Sequence, residues 1–176
     1  MKTTTDFTFF WGNQDPFSQW HKPATFAYKG ITFSQAEQFM MFCKAMLFAD
    51  ENVVREIMLT NNPRIHKEMG RSIKNFDQRL WDYHCYNFVY VGNREKFLQN
   101  PKLLDALLET RGTELVEASP FDRVWGVGLS QDDPRIYHRD TWQGKNLLGE
   151  ILTVLRDEII AIGPENMNRD IEMWWD

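Results

Sequence analysis

The stretch Ser34-Gln-Ala-Glu37-Gln-Phe39-Met-Met-Phe42-Cys43-Lys44-Ala-Met-Leu-Phe48-Ala49 decides how this chain folds. From Phe39 to Ala49 it holds a single charged side chain, Lys44. A helix there is apolar around nearly its whole circumference and must be covered on most sides. At about 100° per residue, Glu37 and Lys44 lie within about 20° of each other, two turns apart. Burying either charge alone is costly. Their line therefore faces a polar cavity or finds partners in the core.

Each of the two has an ordinary reading beside the chemical one. Ser34-Gln-Ala-Glu37 has the form of a capping box, in which Ser34 opens the helix and Glu37 returns to the Ser34 N–H. A capping carboxylate can still present an oxygen to a cleft. Lys44 can snorkel its ammonium to water or pair with a distant carboxylate. Alternatively it is an amine of lowered pKa, available as a nucleophile toward a sugar carbon.

Working outward, Phe7–Trp11 reads as a strand. Thr25–Tyr28 and Ile31–Phe33 flank Lys29-Gly30 as a hairpin. Helices are expected from Ser34 to about Ala49, Glu51 to Leu59, and Pro63 to Met69 with a stop at Gly70. Asp77 caps a long helix reaching about Gln99, with Leu80, Trp81, His84, Phe88, Val91 and Phe97 as its apolar stripe. Pro101 starts another helix, ending near Thr110. Glu114–Ala118 and Val124–Gly128 read as short strands, and Ser130–Thr141 as loop. The last helix runs from Gly144 to about Ile162, with 3.6-residue periodicity in Leu147, Leu148, Ile151, Leu152, Leu155 and Ile159. A loose tail from Gly163 ends in Trp174-Trp175. With no repeat or linker, the expectation is one α+β, predominantly helical domain over 1–176, with its core at about 7–160 and a tail at 163–176.

Composition narrows the function classes. The 176 residues are 43% hydrophobic, enough for a real core. Seven Trp and thirteen Phe fit either large packed clusters or pockets that stack planar rings. Net charge is −5 with no basic block, which argues against tight nonspecific grip on a nucleic-acid backbone. Cys43 and Cys85 lack CxxC spacing and are read as reduced thiols. No signal sequence or run of 18 apolar residues is found, so a soluble cytoplasmic protein is expected. His21, His66, His84 and His138 show no ligand spacing, so no metal and no cofactor are expected.

Three further segments carry polar or glycine patterns. Ser119-Pro-Phe-Asp122-Arg123-Val-Trp125-Gly126-Val-Gly128 permits close backbone approach to a ligand, or is an ordinary strand with tight turns. It is no dinucleotide fingerprint, because position 131 is Gln. Gln143-Gly-Lys-Asn146-Leu-Leu-Gly149 opens a helix whose unpaired N–H groups can bind an anion such as phosphate, or is a plain helix start. Phe17-Ser18-Gln-Trp20 reads as packing plus a turn.

In order along the chain, these pieces resemble the NADAR family, also called YbiA-like proteins. The resemblance rests on Phe9-Phe10, Phe17–Trp20, Ser34–Lys44, Met69-Gly-Arg71, Trp81, Lys96-Phe97, Leu115-Val-Glu117, Asp122–Gly126 and Gly144–Gly149, and covers about residues 7 to 160. It implies N-glycoside chemistry. Some members resemble enzymes that split the C–N bond of ribosylamino-pyrimidine phosphates, intermediates of riboflavin synthesis. Others look like hydrolases that remove ADP-ribose from guanine in nucleic acid. By resemblance, Glu37 is a catalytic carboxylate, Lys44 an amine that forms a Schiff base with the opened ribose, and Asp122 a further catalytic acid. Trp81 and Trp125 are ring-stacking walls. Phe10, Ser18, Arg71, Gly126 and Asn146 complete the substrate-binding set, with Arg71 and Asn146 toward sugar or phosphate.

One departure stands out. Many members carry an acid directly after the Trp-Gly pair, where this chain has Val127. A second acid must then come from Asp122, Asp132 or Asp133. The expected partner is a small ribosylated heterocycle phosphate. ADP-ribosylated guanine is the alternative, favoured if Arg71, Arg123, Arg139 and Lys145 form a basic rim. A non-catalytic ribose-binding module is the third reading. The sequence does not fix the oligomeric state.

Overall fold

An apolar rod needs covering, and α1 (Ala36–Leu47) is covered by α2 (Glu51–Met58), α3 (Pro63–Ser72) and α4 (Gln78–Leu98). The computed structural model describes residues 1–167, and the fold is α+β and predominantly helical. Its contacts gather into two compact units, one holding Lys22–Pro101 and the other Met1–His21 with Lys102–Met167. Trp174-Trp175 lies outside the described residues.

In the first of these, the hairpin β3 (Phe26–Tyr28) and β4 (Ile31–Phe33) pairs antiparallel around Lys29-Gly30, both at positive φ. Phe33 stands 5.0 Å edge-on to Phe39 and 5.2 Å from Phe42, and Phe26 stacks at 5.8 Å on Phe33. Burying a ring such as Phe39 contributes about 1.5–3 kcal/mol. Gly92 lets α4 lie against that ring, since a Cβ there would come within 2.6 Å of it. From Ala36 to Cys43 every residue of α1 is buried, as a helix apolar all round requires.

Helix α1 starts one residue later than the capping box needs. Gln35 is its N-cap, and Ser34 lies outside. The Ser34 N–H and hydroxyl both donate to Gln38 Oε1, at 2.7 and 2.9 Å. The reciprocal link thus skips Glu37, leaving its carboxylate in the first turn, where the helix dipole favours it. Helix α3 also departs from expectation by running through Gly70 to Ser72. Met41 Sδ fills the space a Cβ of residue 70 would take, so glycine here serves packing and not helix termination. Asp77 caps α4 as its sequence position predicts, accepting from the N–H groups of Arg79 and Leu80. Leu80 is 41% exposed and leaves the expected stripe, while Cys85, Val89 and Gly92 join it.

In the second unit, β2 (Phe7–Phe10) lies between β1 (Lys2–Thr3), antiparallel, and β5 (Glu114–Glu117), parallel. Helix α5 (Pro101–Leu108) and α6 (Leu147–Ile162) complete it, and α6 packs on β5. The core joins Phe9, Val116, Ala118, Val127, Leu129 and Ile136. Two expectations fail here. Residues 124–128 form no strand, and α6 begins at Leu147, not Gly144. Both follow from one loop-to-loop lacing. Gln143 N–H donates to Val127 O, Lys145 to Arg123 O, Asn146 to Gly126 O, Leu147 to Val124 O and Leu148 to Trp125 O. Gly144 has no room for a Cβ because the Gly126 carbonyl and the Arg123 backbone occupy it. After α6, Pro164–Asn166 forms a 3₁₀ turn and Met167 is buried.

Candidate active site

Helices α1, α3 and α4 gather four of the predicted site residues. Glu37 is 6% exposed, in the first turn of α1. Lys44 is half-buried two turns on, and its Nζ donates to the Gly70 carbonyl of α3 at 2.8 Å. The same ammonium lies 4.3 Å from the Phe76 ring centroid and 5.2 Å from that of Trp81, the first buried aromatic of α4. Trp81 in turn packs on Phe88 at 6.2 Å. Arg71, exposed in the last turn of α3, is the fourth.

Electrostatics bind these groups into one site. Burial pulls the Lys44 pKa below that of free lysine, the Arg71 charge lowers it further, and the Glu37 charge opposes both. A guanidinium and a carboxylate therefore act on the amine from within the same unit. The amine is partly desolvated, held by one carbonyl and faced by two rings. Such an amine has a larger neutral fraction than an ordinary lysine, which nucleophilic attack requires.

The other predicted residues belong to the unit of Met1–His21 and Lys102–Met167. Phe10 is fully buried, edge-on to Phe17 at 5.6 Å. Ser18 is buried and accepts from the Trp20 N–H at 3.1 Å, building the turn. Asp122 Oδ1 accepts from the N–H groups of Val124 (2.9 Å) and Trp125 (2.8 Å), which shapes the loop that presents half-buried Trp125. Gly126 is buried under the Glu117 and Asp122 carbonyls, where a Cβ would stand 2.8 and 3.1 Å away. Asn146 is 2% exposed, at a left-handed φ of 56°. Its Oδ1 accepts from Glu117 N and its Nδ2 donates to Leu115 O, both at 3.0 Å, so its amide continues the edge of β5.

The structure bears on several alternatives that the sequence leaves open. The anion site at Gly144 does not form, because the N–H groups of residues 145 to 148 are all bonded within the loop lacing. Val127 is a fully buried core side chain, so the place where an acid was looked for is apolar by packing. Asp133 is committed to Arg135, whose guanidinium lies at 2.7 Å and holds the carboxyl down to about 2. Arg139 pairs with Glu114, and Arg123 donates to Gln143 at 3.1 Å, so two of the four basic-rim candidates already have partners. Lys145 is exposed.

The sequence reading missed several groups. The Gly70 carbonyl is backbone and leaves no signature. Phe76 sits in a connection without periodicity. Lys96 is fully buried, and burial draws its pKa down to about 7. A lysine beside the buried stripe of α4 was the available signal. His66, also fully buried, bonds Gln35 and the Thr60 carbonyl. Cys43 and Cys85 are buried thiols in no disulfide, with the Cys43 thiol pushed up by burial. Among the described residues, no group of three His, Cys, Asp or Glu could hold a metal ion, and no helix is long and apolar enough to cross a membrane.

Comparison with known proteins places this geometry in a family. The chain is 42% identical over 147 residues to the N-glycosidase R617 of Acanthamoeba polyphaga mimivirus, covering 81% of this chain and 86% of that protein. It is 35% identical over 144 residues to Protein irg-1 of Caenorhabditis elegans, covering 81% and 68%. A chloroplastic riboflavin biosynthesis protein PYRR of Zea mays matches at 33% identity over 117 residues, 64% of this chain but 17% of that protein. The NMR structure of the E. coli protein YbiA shares the fold, with a TM-score of 0.74 at 24% identity over 97% of this chain and 94% of that one. The match to the NADAR domain runs from residue 9 to residue 160, and the chain belongs to the NADAR family.

Proposed function

We propose that this chain is an N-glycosidase that hydrolyses the C–N bond between a ribose and a heterocyclic amine, with ribosylamino-pyrimidine phosphates as its substrate class. One observation carries the reading: Lys44, an amine of lowered pKa, shares its surroundings with Glu37, Arg71 and the faces of Phe76 and Trp81. The activity in the name of the mimivirus relative and the pathway in the name of the maize relative support it.

The chemistry follows from these groups. Glu37 as an acid protonates the ribose ring oxygen, opening the sugar to an iminium at C1. Neutral Lys44 adds its Nζ to C1, and a proton passes from that nitrogen to the base nitrogen. The C1–base bond breaks, releasing the heterocyclic amine and leaving the sugar joined to Lys44 as an imine. Water then adds to C1, the C–Nζ bond breaks, and ribose phosphate leaves with Lys44 regenerated. Arg71 suits the phosphate, and the rings suit the flat base. Asp122 serves by shaping the Trp125 loop.

The small-molecule reading is preferred over ADP-ribosylated guanine in nucleic acid because Arg139 is neutralised by Glu114 and the chain is net negative. Product analysis by mass spectrometry on both substrate types decides: free pyrimidine amine with ribose phosphate is expected, and release of ADP-ribose alone would transfer the assignment. Lys44→Ala and Glu37→Gln should each lower kcat by about 10²–10⁴ while staying folded. Borohydride added with substrate should attach sugar mass to Lys44. Wild-type turnover in both variants would refute these roles, and turnover without an adduct would favour direct attack by water.

A further inference from the structure

Resting on the N-glycosidase reading for its kinetics, we infer that His66 is a positioning residue: through Gln35 it ties α3 to the first turn of α1 and so sets where Glu37 stands relative to Lys44. His66 is fully buried on α3. Its Nε2 lies 2.9 Å from the Thr60 carbonyl. A carbonyl only accepts, so Nε2 carries the proton of the neutral ring. Nδ1 is then a lone pair, and it accepts from Gln35 Nε2 at 3.1 Å. The same NH₂ group also donates to the Asn61 carbonyl at 3.5 Å, which sets the orientation of the amide. Gln35 is the N-cap of α1, and Glu37 follows in the first turn.

The same helix face holds the other catalytic group. Gly70 is one turn beyond His66 on α3, and its carbonyl accepts from Lys44 at 2.8 Å. Met41 packs on Gly70 between these two fastenings. Helix α3 therefore grips α1 at its start, through Gln35, and again at Lys44. The spacing of carboxylate and amine is fixed by one rigid element fastened at two points. A misplacement of about 1 Å in such a pair can cost roughly 10²-fold in rate.

This arrangement needs a neutral ring. Protonation would place an N–H at Nδ1 against the Gln35 NH₂ group, and turning the amide would set its oxygen against the Asn61 carbonyl to which that NH₂ now donates at 3.5 Å. The groups facing His66 are the Gln35 amide from α1, the Ile57 and Thr60 carbonyls at the end of α2, and the Lys22 ammonium ahead of β3. Burial lowers the His66 pKa, and the Lys22 charge adds to that.

The test compares wild type with His66→Ala and His66→Gln. Glutamine can donate to Thr60 and accept from Gln35, but it does not titrate. Two quantities are read: hydrogen exchange of the Ser34–Phe42 segment without substrate, and kcat and KM on a ribosylamino-pyrimidine phosphate from about pH 5 to pH 8. His66→Ala should speed exchange in that segment about tenfold and lower kcat by roughly 10- to 100-fold, with KM within about twofold. His66→Gln should match wild type near neutrality, and should lose less activity toward acid than wild type does. Wild-type exchange and wild-type kcat in His66→Ala would overturn the role. If His66→Ala does not fold, an unchanged acid-side loss in His66→Gln overturns it. If wild type itself fails to turn over, the N-glycosidase reading falls, and the exchange measurement still decides for His66.

Discussion

The surroundings of Lys44 and the loop from Asp122 to Gly149 both come from family motifs, yet they use their polar groups in opposite ways. Around Lys44, rigid helices hold the amine with a single backbone carbonyl, and Arg71 and Glu37 act on it through their charges. In the loop, Asp122, Asn146 and the N–H groups of residues 143 and 145 to 148 bond to backbone of their own unit. In the first region charges act on one partly buried amine, while in the second the polar groups bond to backbone. Matching a family motif therefore does not by itself say whether a residue meets a ligand or holds the chain in place.

The sharpest way to break this contrast is Asn146→Ala. The amide closes the edge of β5, and removing it leaves the Glu117 N–H and Leu115 carbonyl without that partner. Each buried group left unsatisfied costs about 1–3 kcal/mol, and alanine is also disfavoured at the left-handed φ. A loss of about 3–5 kcal/mol is expected in denaturant titration. If Asn146 instead contacted sugar or phosphate, stability would hold and KM alone would rise.

Among the helices, Lys96→Met sharpens the picture by separating burial from reactivity. The folded Lys96 pKa is about 7, well below 10.5. Between those values the unfolded chain holds the proton and the folded chain does not. Stability therefore rises with pH across that window, by up to about 1.4 kcal/mol per pH unit, and the full penalty of the buried charge stands below about pH 7. Lys96→Met should flatten the dependence when denaturation midpoints are compared from about pH 7 to pH 10. The same slope in the variant would show that another group causes it.

How much of this was legible depended on whether side chains or backbone set the geometry. The all-round apolar run at Phe39–Ala49 predicts a covered helix, and three helices and a hairpin strand cover it. The seven-residue spacing of Glu37 and Lys44 predicts mutual influence, and the Glu37 charge does reach the amine. Asp77 and Pro101 mark their helix starts through local chemistry. Residues 124–128 alternate like a strand, but their partners lie at 143–148, and the lacing depends on glycines meeting backbone across the chain. No local pattern encodes that. The capping box failed for a similar reason: Gln38 reached Ser34 first. The Gly70 carbonyl was invisible because every residue has one.

The smallest expected effect also discriminates most finely, because it asks whether Asp122 belongs with Lys44 or with Asn146. Its Oδ1 accepts two N–H groups of the loop bearing Trp125, a turn that an asparagine oxygen can make as well. Asp122→Ala should cost about 1 kcal/mol of stability by loosening the loop that bears Trp125. Asp122→Asn should retain both stability and kcat, since the bonded oxygen remains and only the charge is lost. Thermal midpoints and steady-state kinetics on the two variants check this. A catalytic acid behaves differently: the asparagine variant would fold normally while its kcat fell by about 10² or more. That outcome would move Asp122 from the residues that hold the loop to those that act on the substrate, and would supply the second acid that Val127 cannot.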